Sequence, residues 1–169
     1  MKKIIGLLLL LALVATITLL CYKSYTLYTI KREARAKLRS TPSMNLTGLD
    51  GKYFSFSGEK GIVMLVYYSG ACDLCDFEAE QFEKNISQLS SLKIMMVSTD
   101  PLDSIQRFSK RHHLQELITF GKIKDEDVLA AFGTEALPHI LIYNDEILVG
   151  EFKGATPFSK LKDALKLNN

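Results

Sequence analysis

Residues 4–22 carry no charged side chain and are dominated by Leu, Ile, Val and Ala. That is close to the roughly 20 apolar residues a helix needs to cross a bilayer. Beyond Ser43 the pattern changes, and apolar residues gather in short runs separated by polar, Gly and Pro positions. The runs Gly61-Ile62-Val63-Met64-Leu65-Val66-Tyr67-Tyr68 and Leu92-Lys93-Ile94-Met95-Met96-Val97-Ser98 are nearly continuous, as expected of strands covered on both faces. Between them Leu74, Phe77, Phe82, Ile86 and Leu89 recur at helical spacing, which predicts a helix over residues 73–89.

The same reading places the remaining elements. Residues 45–57 predict a hairpin turned at Asp50-Gly51, because Asp-Gly suits a tight turn between twisted strands. Residues 103–112 predict a helix entered through Asp100-Pro101. Ile118-Thr119-Phe120 reads as a short strand, and residues 125–132 as a short helix closed by Gly133. A strand over residues 138–143 turns at Asn144-Asp145 and returns over 146–153, and a last helix covers 157–167. Strands alternating with helices and ending in a hairpin imply an α/β fold with a central mixed sheet flanked by helices. No internal repeat or low-complexity stretch interrupts the order.

At 169 residues the chain suits one domain and a tail. The boundaries expected are a transmembrane anchor at 1–22, a basic juxtamembrane tether at 23–43 and the folded domain at 44–169. The tether continues as helix until Ser40-Thr41-Pro42, since a proline disfavours helix in the residue before it. A cleaved export signal has an apolar stretch of about 7 to 15 residues and a small-x-small cleavage site, which fits less well than an uncleaved anchor. A lipid-bearing Cys21 would want a small residue before it, and Leu20 stands there. Cys21 is therefore read as a small apolar residue of the span.

Charge divides the chain. Residues 1–42 hold eight Lys or Arg and one acid, residues 43–169 thirteen and eighteen. The acidic domain with dispersed lysines does not point to nucleic acid. Lys31, Arg32, Arg35, Lys37 and Arg39 would lie near anionic lipid headgroups. Basic residues after a span favour the cytoplasmic side. The short basic Met1-Lys2-Lys3 followed at once by the apolar run resembles an export signal kept as an anchor, and this reading, with the domain facing the periplasm or cell exterior, is preferred.

The chemistry centres on Cys72-Asp73-Leu74-Cys75, which follows a buried strand and the turn Ser69-Gly70-Ala71 and opens a helix. Backbone N–H groups at a helix N-terminus stabilise a thiolate at Cys72, and Cys75, one turn inward, is placed to attack a mixed disulfide. Half a zinc site would need two further ligands. The remaining cysteine is Cys21, and the histidines are His112, His113 and His139. No metal or other cofactor is expected, and no dinucleotide fingerprint is present.

From about residue 45 to 167 the chain resembles the thioredoxin-like superfamily, in particular the membrane-tethered thiol-disulfide oxidoreductases of the TlpA/ResA type within the redoxin group. The resemblance rests on the hairpin Leu46-Thr47-Gly48-Leu49-Asp50-Gly51-Lys52, the strand into Cys72 and Cys75, Glu78 three residues beyond, and Leu137-Pro138 opening a late strand. It implies that Cys72 attacks and Cys75 resolves. It also implies that Pro138 is a cis-proline facing the pair, with Leu137 and Pro138 meeting an extended substrate, and that Glu78 handles protons beneath the cysteines. Thioredoxin itself uses an Asp on the preceding strand, where Val66 stands here.

Several positions depart from that pattern. Ala71 replaces a common Trp and Leu137 a common Thr. Asp73 and Asp76 flank the thiols and are expected to oppose the helix dipole, disfavour the thiolate and make the protein reducing. His112 and His113, at a helix end beside Lys110 and Arg111, are expected on the surface.

The function expected is a bacterial inner-membrane thiol-disulfide oxidoreductase, reducing or exchanging disulfides of exported proteins and supplied with electrons by a membrane donor. One alternative is a thiol peroxidase of the redoxin group. Ser69 echoes its Thr-x-x-Cys, but Leu65 occupies its proline position and no arginine follows Arg111. The other alternative is a non-catalytic thioredoxin-fold binding module.

Overall fold

The computed structural model describes residues 2–58 and 60–165. The chain divides into two compact units, residues 1–33 and 34–169. The described residues of the first, 2–33, lie within helix α1 (Lys2–Lys37). Residues Ile4–Thr29 of α1 are long and apolar enough to cross a membrane, with a mean hydropathy of 2.9 over an 18-residue stretch within them. Leu10, Leu13, Val14 and Leu20 are all exposed.

The second unit is built on one seven-stranded sheet in the order β2-β1-β5-β4-β3-β6-β7. Its strands are β1 (Met44–Gly48), β2 (Tyr53–Phe56), β3 (Ile62–Tyr67), β4 (Lys93–Ser98), β5 (Ile118–Lys122), β6 (His139–Asn144) and β7 (Ile147–Lys153). The helices are α2 (Asp73–Lys84), α3 (Ile86–Leu89), α4 (Leu102–Arg111), α5 (Asp125–Phe132) and α6 (Phe158–Leu165). β3, β4 and β5 run parallel, whereas β1, β2, β6 and β7 pair antiparallel to their neighbours. This is the expected mixed sheet of an α/β, thioredoxin-like fold.

Alternation along the central strands divides the core into two layers, because successive side chains point to opposite faces. Met64, Val66, Ile94, Met96, Ile140 and Ile142 pack with Cys75, Ala79 and Phe82 of α2, Phe108 of α4 and Leu161 of α6. Val63, Leu65, Met95, Val97, Leu141 and Tyr143 pack with Val128, Ala131 and Phe132 of α5. Covering on both faces explains why β3 and β4 read as unbroken apolar runs.

The hairpin turns as expected, with Gly51 at φ 78° and the Gly51 amide donating to Gly48 O over 2.9 Å. Gly133 closes α5 at φ 66°, the left-handed conformation that glycine adopts without a Cβ penalty. Two boundaries differ from expectation. The helix after Cys72 stops at Lys84 and restarts as α3, because Asn85 leaves helical geometry and its Nδ2 donates to Gln81 O over 2.8 Å. β5 runs on to Lys122, because it pairs with β4 along its length and with β1 at Gly121 and Lys122. The end of the last predicted helix, 166–167, lies outside the described residues.

The segment after α1 is bound to the domain. Leu38 is buried in the α5-side layer, and its carbonyl accepts from the Tyr143 hydroxyl over 3.2 Å. The Thr41 amide donates to Glu146 O and the Leu148 amide to Arg39 O, so this segment pairs with the start of β7. It thereby covers part of an edge strand that would otherwise offer unpaired backbone.

Candidate active site

β3 delivers the chain to the site and α2 carries it away. After Tyr67 the loop Ser69-Gly70-Ala71 reverses direction, and Cys72 takes the N-cap position of α2 with extended backbone (φ −110°, ψ 112°). Its carbonyl accepts the first helical bonds, from the Cys75 amide over 2.9 Å and the Asp76 amide over 3.0 Å. Cys72 is half-buried and Cys75 is buried. Three residues along a helix bring side chains to the same face, so the Cys72 and Cys75 thiols are neighbours. Burial pushes the Cys75 thiol well up from its ordinary range, and the neighbouring Cys72 thiol adds to that. The two sulfurs therefore differ in exposure.

The next residue on the buried stripe of α2 is Glu78, which is fully buried. Its Oε2 accepts from the Thr156 amide over 2.8 Å, and its Oε1 has no hydrogen-bond partner among the described residues. Burial pushes the carboxyl up to about 7, opposed in part by the Thr156 hydrogen bond. Thr156 lies in the loop between β7 and α6. In that loop its Oγ1 donates to Gly154 O over 3.1 Å, while the Gly154 amide donates to Pro138 O over 2.8 Å. A chain of hydrogen bonds thus joins Glu78 to Pro138.

The Leu137–Pro138 peptide bond is cis. Pro138 immediately precedes β6, whose His139 pairs with Tyr67 at the end of β3, so proline and cysteines occupy the same end of the sheet. Leu137 and Cys72 are both partly buried against the α2-side layer. The fold therefore gathers all five residues singled out in the sequence, Cys72, Cys75, Glu78, Leu137 and Pro138, at that end. Val66 is buried in the core.

Two expectations require correction. Leu74 and Phe77, counted among the inward apolar positions, are 51% and 44% exposed, because Cys75, Glu78, Ala79 and Phe82 take the buried stripe. His112, expected on the surface, is 5% exposed. Its ring packs on Phe108 with centroids 4.6 Å apart, and its Nε2 lies 2.8 Å from Asp76 Oδ1. His113 is exposed as expected and lies 2.7 Å from Glu83.

The sequence reading also missed Asp100. Its Oδ2 accepts from the Gly70 amide over 2.7 Å, and the Ser69 hydroxyl donates to the same carboxylate at 3.2 Å. Asp100 thus fixes the loop that presents Cys72. The available signal was Ser98-Thr99-Asp100-Pro101, which reads as a helix entrance and does not reveal a partner some thirty residues earlier.

A family model described as AhpC/TSA matches residues 39–151, more than half of the chain. The chain belongs to the AhpC/TSA family. A comparison with curated proteins finds no match. Among solved structures, this AhpC/TSA member is similar to a secreted disulfide oxidoreductase of Mycobacterium tuberculosis homologous to E. coli DsbE. The TM-score is 0.64 and the identity 16%, over 78% of this chain and 97% of that one. It is also similar to a peroxiredoxin-like protein from Aquifex aeolicus, with a TM-score of 0.62 and 12% identity over 75% and 84% of the two chains. The thioredoxin domain of a thiol-disulfide oxidoreductase from Bacteroides vulgatus gives 0.60 and 17% over 76% and 96%. At these identities the likeness establishes the thioredoxin-like fold of the AhpC/TSA domain and leaves its activity to the site.

Proposed function

We propose that this protein is a thiol-disulfide oxidoreductase that reduces or exchanges disulfides in exported proteins, tethered by α1 to a bacterial cell membrane with its domain on the outer side. The observation that carries the reading is the unequal cysteine pair, a half-buried Cys72 at the α2 N-terminus backed by a buried Cys75.

The reaction runs in two exchanges. Cys72 thiolate attacks one sulfur of a substrate disulfide. The S–S bond breaks and the other substrate sulfur leaves as a thiolate that takes up a proton. Cys75 then gives its proton to Glu78 and attacks Cys72 Sγ. The Cys72–Cys75 bond forms, the second substrate thiolate departs and is protonated, and two electrons have passed to the substrate. Glu78 suits this step because a carboxyl near 7 accepts and returns a proton at neutral pH. Leu137 and Pro138 would border the bound substrate strand, and the hydrogen-bond chain through Gly154 and Thr156 would hold that border in register with Glu78. A membrane partner bearing a dithiol would reduce the protein again.

Cells expressing the full chain with Cys75→Ser test the reading. The variant should accumulate mixed disulfides between Cys72 and exported proteins in the membrane fraction, and Cys72 should react with a membrane-impermeant thiol reagent in intact cells. Mixed disulfides with cytoplasmic proteins only would overturn the proposed side of the membrane, and none at all would overturn the proposed activity.

A further inference from the structure

Asp76 stands one residue beyond Cys75 in the first turn of α2, where a carboxylate competes with a thiolate for the positive end of the helix. In the fold that carboxylate is engaged. Arg111, the last residue of α4, donates from Nη2 to Asp76 Oδ1, and His112 Nε2 lies 2.8 Å from the same oxygen. The grip is itself anchored. The Arg111 guanidinium lies over the Phe108 ring at 5.3 Å, His112 packs on that ring, and Phe108 packs on buried Tyr68 with centroids 4.5 Å apart. Two turns further along α2, His113 meets Glu83, so the end of α4 holds α2 at two points.

Resting on the thiol-disulfide reading above, we propose that Arg111, assisted by His112, is a positioning residue that neutralises Asp76 and so leaves the α2 N-terminus free to stabilise the Cys72 thiolate. This modifies the expectation from sequence that both acids oppose the thiolate. Asp73 is exposed at the helix start, whereas Asp76 is paired with a cation. The other ionisable groups around the cysteines keep their own partners or burial when Arg111 is changed. Asp100 is held by Ser69 and Gly70, Glu78 by Thr156, and Tyr68 lies in the core.

A double-mutant cycle on the full-length reduced protein in detergent tests this, reading the rate of Cys72 alkylation by iodoacetamide against pH, with Cys72 modification followed by mass spectrometry. Arg111→Gln should slow Cys72 at pH 7 by about threefold, a shift of about half a pH unit in the profile, the size expected for a partly exposed pair. Arg111→Lys should restore most of the rate. In an Asp76→Asn background, Arg111→Gln should change the rate by less than about twofold, because no charge remains to be neutralised. Equal slowing in both backgrounds would overturn the proposal, since Arg111 would then act on the thiol directly or through the fold; so would no slowing in the native background. Failure is separable from failure of the functional reading. Disulfide reduction with a flat cycle rejects only the role of Arg111, and a coupled cycle without disulfide reduction rejects only the activity.

Discussion

A carboxyl group with no exposure, one oxygen held by a backbone amide and the other without a hydrogen-bond partner among the described residues, favours its neutral form. For Glu78 the ordinary value of 4.5 rises to about 7, so the folded chain binds a proton more tightly than the unfolded chain. The sign follows from linkage. This group's contribution to stability is fully present below about 4.5 and is lost as the pH rises through 7. Above that the ionised carboxylate costs the fold about 3 kcal/mol by the pKa difference. Urea unfolding of wild type and Glu78→Gln at pH 5 and pH 8 measures this. The variant should gain about 2 to 3 kcal/mol relative to wild type between the two pH values. An equal response of the two proteins would mean that Glu78 ionises normally. A group that costs stability at neutral pH yet sits behind the cysteines is the pattern expected of a proton carrier.

Helix α2 separates what local pattern can tell from what it cannot. The Cys-x-x-Cys pair, its place at a helix start and the hairpin turn at Gly51 depend on neighbours within a few residues, and all were legible in the sequence. Which face of α2 is buried was not, because apolar Leu74 and Phe77 compete for the core with Cys75 and Glu78, and the sheet decides. Phe82 is fully buried and Phe77 is 44% exposed. Phe82→Ala should therefore cost about 3 to 5 kcal/mol and Phe77→Ala under about 1 kcal/mol in chemical denaturation. Comparable costs would place both rings in the core. The break at Asn85 was hidden because Ile86 and Leu89 continue an apolar rhythm across it. Burial of His112 was hidden for another reason: Asp76, its partner, lies on a different helix, and two isolated polar residues give no sequence signal of meeting. The tie from Asp100 to Ser69 and Gly70 is hidden in the same way.

Across the whole molecule, an apolar helix that can cross a membrane precedes a thioredoxin-like domain of the AhpC/TSA family, and Leu38, Arg39 and Thr41 are secured to that domain. The sheet brings the ends of β3 and β6 together, so residues distant in sequence, Cys72 and Pro138, share one end of the fold. The parallel pairing of β3 with β4 does the same for Asp100 and the loop before Cys72. The central claim is that Cys72 attacks and Cys75 resolves. Its most direct measurement mixes the pre-reduced protein with insulin, with no other thiol added, and identifies the products by mass. Wild type should reduce one insulin disulfide per chain and accumulate an internal disulfide between Cys72 and Cys75. Cys75→Ser should stop at one mixed disulfide per chain on Cys72, and Cys72→Ser should form none. Insulin reduction that survives Cys72→Ser, or a mixed disulfide found on Cys75, would contradict the account.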